Sequence, residues 1–240
     1  MKISYDEDKA IGKDNEDDAM EELLKHYQAK PLGEEKRYAV FLPLIAVNDE
    51  WHVLYEVRSQ HISQPGEVAF PGGRVEGHES LQEAAIRETM EELNVDSSHI
   101  QLWGEIDYLV QSSRTIHCFV GQLLTNDWKS VQANEEVDRL FTVPLQQLLA
   151  AEPVFYHLEA SPLKTSDFPF DRIRHGKDYQ FSQQYRSIPF YENLEETIWG
   201  MTAQFTHCFI EILKKQRRQL PKSKIRSFRI TCLFGDDSVN

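Results

Sequence analysis

Residues Phe70 to Val95 read FPGGRVEGHESLQEAAIRETMEELNV, where glycine-rich turn chemistry passes into a helical period. On a wheel of 100° per residue, Ile86, Met90 and Leu93 form one stripe that can pack on a sheet. Glu88, Glu91 and Glu92 fall within an arc of about 100° on another side. Like charges so placed repel one another by a few tenths of a kcal/mol per pair, part of which the i,i+4 pairs Glu83–Arg87 and Arg87–Glu91 can offset. A bound hard cation offsets the repulsion far more strongly, because clustered carboxylate oxygens plus water are what Mg²⁺ or Mn²⁺ take as ligands. A merely solvated acidic face is the bland alternative. The residues upstream weigh against it: Gly72-Gly73 lets the backbone approach a ligand closely, so that a carbonyl can join the carboxylates. Glu79 suits a helix start, and the small Ala84 and Ala85 leave room for the loop to lie against the helix.

Outward from this segment, Tyr38–Ala46 and Val53–Val57 read as strands, the first apolar enough to be buried on both faces, with Asn48-Asp49 as the turn between them. Glu67–Phe70 is a third short strand, and Ile100–Val110 and Thr115–Leu124 are two more. Phe141–Val143 leads through Pro144 into a helix near Leu145–Ala151. Val154–Leu158 and Tyr179–Phe181 are aromatic-rich strand candidates. Glu195 to about Gln216 is the longest helical pattern, with Ile198, Met201, Phe205, Phe209 and Ile212 at spacings of three or four. Trp199, Phe205 and Phe209 read as packing residues of that helix, and His117 and His207 as core or surface histidines. Strands and helices in this order predict one α/β (α+β) domain with decorated ends. The boundaries read as an acidic N-terminal extension (1–36) with a short helix, a central domain (37–213) and a basic C-terminal extension (214–240).

The chain has 240 residues and a formal charge of −13, from 39 acids against 26 bases. Nine of the acids precede residue 23 and read as a solvated arm. That balance argues against nucleic acid as a partner, which needs clustered Lys and Arg, and against an anionic membrane surface. Basic residues do cluster between Lys214 and Arg229, where charge complementarity at a helix end is the simplest role. The longest apolar run, Tyr38 to Val47, is half of the roughly 20 residues that a membrane span needs. No secretory signal is read at the start, and Cys118, Cys208 and Cys232 lack any metal or disulfide spacing, so reduced thiols and a cytoplasmic location are expected.

The central segment resembles the Nudix hydrolases. Their signature is Gly, five residues, Glu, seven residues, Arg-Glu, an apolar residue, any residue, Glu-Glu, any residue, Gly, apolar. Gly73, Glu79, Arg87, Glu88, Glu91, Glu92 and Val95 match it in spacing. Six such polar or Gly matches arise by chance in roughly one chain in 10⁴ to 10⁵ of this length. Thr89 replaces an apolar residue and still offers a methyl group; Asn94 replaces the closing Gly and is the next-best residue for a left-handed helix end. Arg58-Ser59 followed by Pro65-Gly66-Glu67-Val68-Ala69-Phe70-Pro71-Gly72-Gly73 is similar to the coenzyme A pyrophosphatase subgroup, although Ser63-Gln64-Pro65 stands where that pattern has Arg-x-His and one more residue. Glu136-Val137 through Val143-Pro144-Leu145, and Ile198-Trp199-Gly200-Met201-Thr202-Ala203, also resemble this subgroup.

The resemblance implies an α/β/α sandwich around a mixed sheet and hydrolysis of a pyrophosphate that links a nucleoside to another group. It implies Mg²⁺ or Mn²⁺ held by Glu88, Glu91, Glu92 and the Gly72 carbonyl. Arg87 would orient the glutamates, and Glu79 would accept from the loop backbone or hold a water. Arg58, Ser59, Phe70 and Gly73 would lie at the substrate; for Arg58, an anionic group such as a 3′-phosphate and a surface ion pair both remain open. The general base is also open, with Glu136 first and Glu91 next. Coenzyme A or its thioesters are the expected substrate. Another nucleotide, such as a dinucleotide or nucleotide sugar, and a non-catalytic sensor are the alternatives. A small-molecule partner is implied, a homodimer is compatible, and no membrane is involved.

Overall fold

The computed structural model describes residues 19–28, 36–111, 114–125, 127–160, 167–181 and 184–219. Residues 1–35 and 36–240 form two units. In the first, residues 19–25 are helical (α1), with i,i+4 pairs Glu21–Lys25 and Glu22–His26, and Leu23, Leu24 and Tyr27 exposed. The acids up to and including Asp18, the basic residues beyond Arg218 and Cys232 lie outside the described residues.

In the second unit the core is a mixed sheet in the order β3-β2-β1-β7-β5. Its strands are β1 (Lys36–Val47), β2 (Glu50–Arg58), β3 (Val68–Ala69), β4 (Gly72–Arg74), β5 (Ile100–Glu105), β6 (Leu109–Gln111), β7 (Arg114–Leu123) and β8 (Val137–Pro144), with β4 on β1, β6 on β7 and β8 on β2. β1 and β7 run parallel; the other pairs are antiparallel. Asn48 and Asp49 take left-handed φ of 50° and 65°, the geometry of a tight hairpin between β1 and β2.

Strand parity sorts the core into two layers. On one face Phe41, Ile45, Leu54, Leu93, Ile100 and Leu123 cluster with Ile86 and Met90, so helix α2 (Leu81–Leu93) covers this side. Ala39, Ala84, Ala85 and Phe119 make a second contact there, where small side chains let α2 lie close to β1 and β7. On the other face Val40, Leu42, Val53, Tyr55 and Val57 pack with α3 (Leu145–Ala150) and α4 (Gly200–Gln219) through Leu145, Leu148, Phe205, Phe209 and Ile210. The expected sandwich around a mixed sheet is therefore present. Among the described residues no helix is long and apolar enough to cross a membrane.

Several elements differ from the sequence reading. Ile100–Val110 is two strands, β5 and β6, interrupted at Ile106–Tyr108. Tyr179–Phe181 is not a strand; it follows a 3₁₀ turn, and the partner of β9 (Val154–Ala160) is β10 (Gln184–Tyr191). With β11 (Ile198–Trp199) these form a separate three-stranded sheet. Helix α4 starts at Gly200 rather than Glu195, because Ile198 and Trp199 pair with Tyr191 and Phe190 and Gly200 takes φ 65°. Phe205 and Phe209 are buried as expected, whereas Trp199 is partly exposed and stacks on Phe190.

Helix α2 begins two residues after Glu79. Ser80 is its N-cap and forms a capping box with Glu83, with Glu83 N–H donating to Ser80 Oγ and Ser80 N–H donating to Glu83. The helix ends on Asn94 at φ 49°, whose Nδ2 donates to the Gln132 carbonyl at 2.8 Å. In urea denaturation of the whole chain, Ser80→Ala is expected to cost about 1 kcal/mol. Leu93→Ala, which empties a fully buried position, is expected to cost about 2–5 kcal/mol.

Candidate active site

The site is built where β4 meets α2. Gly72 pairs with Val40 across β1 and β4, and a Cβ on Gly72 would overlap the Ala39 carbonyl, so only glycine allows this approach. The Gly72 N–H then reaches Oε2 of Glu92 at 2.8 Å. Gly73 lies against Glu88 closely enough that a Cβ there would overlap the Glu88 carboxylate. The glycine pair thus belongs to a strand rather than to a free turn: the missing side chain of Gly72 lets β4 lie against β1, and that of Gly73 makes room for Glu88.

Arg87 organises the acidic face. Its Nε and Nη2 donate to Oε2 and Oε1 of Glu79 at 3.1 and 2.9 Å, and Nη1 donates to Glu88 at 2.9 Å and Glu91 at 3.3 Å. Nη2 also donates to the Arg74 carbonyl at 3.1 Å, tying the helix to the end of β4. Glu79 in addition accepts from the Glu76 N–H at 2.6 Å. These bonds, the guanidinium's first, hold the Glu79 carboxyl below the usual carboxylate range.

The buried acids behave in the opposite way. Glu92 is 5% exposed, and burial first, then the charge of Glu56, pushes its carboxyl well above the usual range. Burial raises half-buried Glu88 too, against the pull of Arg87, and Glu91 and Glu136 add to the rise. Glu136 sits in the loop before β8, and its charge acts on Glu56, Glu88 and Glu92 alike. Backbone bonds fix that loop: Asn134 N–H donates to the Glu92 carbonyl at 2.8 Å, Glu136 N–H to Asn134 Oδ1 at 2.9 Å, and Ser59 N–H to the Glu136 carbonyl at 2.8 Å.

Arg58 and Ser59 close the base of a loop that returns at Gly66 and Glu67. Arg58 N–H donates to the Glu67 carbonyl and Gly66 N–H to the Arg58 carbonyl, each at 2.9 Å. The Arg58 guanidinium is held by Ser63, through Nε to its carbonyl at 2.9 Å and Nη2 to its hydroxyl at 3.3 Å. Ser63 is thus the residue that orients Arg58 in this shortened loop. Phe70 corrects an expectation: it is 4% exposed and stacks on Tyr55 on the α4 side of the sheet, so it packs the core instead of lining the site. Glu91, by contrast, is exposed on the helix surface.

Sequence reasoning missed Glu56. It sits in the apolar strand Val53-Leu54-Tyr55-Glu56-Val57, on the same face as Leu54, and is 2% exposed. An acid at an inward strand position was the available signal. Its Oε2 is buried without a hydrogen-bond partner among the described residues.

Among the described residues, no three His, Cys, Asp or Glu side chains converge as a finished metal cage. The donor set nevertheless fits a hard cation: oxygen ligands only, an orphaned buried carboxylate oxygen on Glu56, and mutual repulsion that a cation would relieve.

The NUDIX domain family model matches residues 35–162, more than half of the chain. The chain belongs to this family. It is a Nudix pyrophosphohydrolase, of a class of enzymes that act on small-molecule nucleotides and generally use divalent metal ions. It is 27% identical over 214 residues to Nudix hydrolase 3 of Caenorhabditis elegans, covering 82% of this chain and 85% of that protein. It is 25% identical over 197 residues to a mitochondrial coenzyme A diphosphatase of Mus musculus, covering 80% and 85%. Among solved structures it resembles a C. elegans Ap4A hydrolase complex at 19% identity and TM-score 0.40, covering 48% of this chain and 84% of that one.

Two outcomes follow from this Nudix geometry. Gly73→Ala should displace the Glu88 carboxylate, lowering kcat while thermal unfolding changes little, since the overlap falls on a side-chain end. The second concerns pH. Glu56, Glu88 and Glu92 are raised above the usual 4.5, so the folded state binds protons more tightly than the unfolded chain. Stability in EDTA should therefore fall as pH rises from about 4.5 through the raised values. His52, lowered by burial, opposes this only around its usual 6.5. Thermal melts from pH 5 to 9 test it, and the gain in Tm on adding Mn²⁺ should grow with pH.

Proposed function

We propose that the protein hydrolyses the pyrophosphate of coenzyme A or its thioesters, giving 3′,5′-ADP and (acyl-)4′-phosphopantetheine, with Mg²⁺ or Mn²⁺. The observation that carries the reading is the set of carboxylates on Glu88, Glu92 and Glu136, which repel one another beside the Gly72-Gly73 strand. Glu88, Glu91 and Glu92, with the Gly72 carbonyl, would hold the cation. When bound, it neutralises the diphosphate and lowers the pKa of the attacking water. Arg87 keeps Glu79, Glu88 and Glu91 in one arrangement, so that little reorganisation is needed when substrate arrives.

Glu136 is the general base in this reading. Its loop is anchored by main-chain bonds to both α2 and Ser59, its charge acts on Glu88 and Glu92, and it is exposed enough to take a proton from water. Arg58, oriented by Ser63 next to that loop, meets the 3′-phosphate. The match to a coenzyme A diphosphatase and the Arg58-Ser59 to Phe70-Pro71-Gly72-Gly73 segment support the choice of substrate.

Incubation with coenzyme A and Mg²⁺ or Mn²⁺ should release the two products, and Glu91→Gln or Glu92→Gln should lower kcat by at least about tenfold. Arg58→Ala should raise KM for coenzyme A by about 10- to 100-fold, the loss of a charged hydrogen bond, and leave KM for 3′-dephospho-coenzyme A nearly unchanged. No cleavage with either metal contradicts the substrate. A higher kcat/KM for a dinucleotide or nucleotide sugar would reassign it within the same class, and full activity in both Gln variants contradicts the mechanism.

A further inference from the structure

The buried acid on β2 needs an explanation of its own. Glu56 pairs with Ala69 of β3 on one side and Leu140 of β8 on the other, so it lies inside the sheet and not at an edge. Its side chain shares the face of Leu54, and Leu54 and Leu140 both pack in the cluster under α2. That face leads to Glu92, Glu88 and Glu136, whose charges Glu56 feels or acts on. Arg58, two residues along the same strand, gives its Nε and Nη2 to Ser63. Glu56 Oε2 is left buried and without a hydrogen-bond partner among the described residues.

An apolar side chain would fill this position at lower cost, since an unpaired buried carboxylate is among the most expensive groups a fold can carry. Among the described residues Arg58 is the one positive charge that acts on Glu56, but its guanidinium is engaged by Ser63 and gives Oε2 no hydrogen bond, so the position is useful if a further positive group comes to it. We propose that Glu56 is a further ligand of the divalent cation, binding from the sheet side through Oε2, opposite Glu88 and Glu92 on the helix side. This rests on reading the site as a cation site, and it adds a strand ligand to a set otherwise drawn from the helix and the glycine strand. A site gripped from both layers would also tie β2 to α2 when loaded.

The test is Mn²⁺ affinity of the full chain, measured by titration calorimetry after removal of metal with EDTA, in the absence of substrate. Wild type should bind, Glu56→Gln should bind at least about tenfold more weakly, and Glu56→Asp, which withdraws the carboxylate by one methylene, should fall between. The gain in Tm on adding Mn²⁺ should shrink in the same order. Circular dichroism checks the fold of each variant, and if Glu56→Gln does not fold, Glu56→Asp decides. Unchanged Mn²⁺ affinity in a folded variant overturns the role of Glu56, and wild-type cleavage of coenzyme A then shows that the proposed function survives. A wild type that binds no Mn²⁺ overturns both.

Discussion

The hydrogen bond from Gly72 N–H to the Glu92 carboxylate is the contact on which the rest of this architecture depends. Burying a carboxylate is costly unless something donates to it, and here the donor is a backbone amide of β4 at 2.8 Å. The same residue accepts from Asn134 through its main-chain carbonyl, so Glu92 joins the glycine strand, the end of α2 and the loop that carries Glu136. The small residues around it follow from that requirement. Ala39, Ala84 and Ala85 let the helix settle on the sheet, Gly72 lets β4 approach β1, and Gly73 leaves no Cβ between the strand and Glu88.

Around this contact the site divides into a satisfied half and an unsatisfied half. On the outer side Arg87 provides donors for Glu79, Glu88 and Glu91, so that each carboxylate there has a cationic partner even though one positive charge faces three negative ones. On the inner side Glu56 and Glu92 repel each other in a poorly solvated space, with Glu88 and Glu136 adding to the field. That imbalance is costly to the fold, and under the proposed function a bound cation would relieve it. The net charge of −13 thus speaks against nucleic acid but not against a phosphorylated small molecule, once a cation has reversed the sign locally.

The helix and its motif were legible because each relies on local spacing: an apolar stripe of three, and glutamates three, four and one apart; the start was read at Glu79, one residue before the Ser80 cap. β1 was legible as an apolar run long enough to be buried on both faces. Glu56 was overlooked because the lone acid in the apolar run Val53-Leu54-Tyr55-Glu56-Val57 reads equally as a residue facing water at a strand end; pairing with Ala69 and Leu140 places it inside the sheet. Phe70 misled because it lies between β3 and β4, in neither strand, so closeness to Gly72 in sequence does not fix its side of the sheet, and its ring turns to Tyr55. β10 was missed because Arg186, Ser187 and Pro189 weaken its strand pattern, and the neighbouring Tyr179–Phe181 offers more aromatic character without a partner strand. Glu195 and Glu196 read as helix formers, yet the pairing of β11 with β10 holds that segment extended until Gly200 turns it.

The most direct measurement is the anomalous diffraction signal from crystals of the full chain grown with Mn²⁺. The predicted result is a peak between the glycine strand and α2, within ligand distance of Glu92, Glu88 and the Gly72 carbonyl. A peak elsewhere with this cleft empty, or crystals in which Mn²⁺ leaves Glu92 and Glu88 untouched while the enzyme is active, would contradict it.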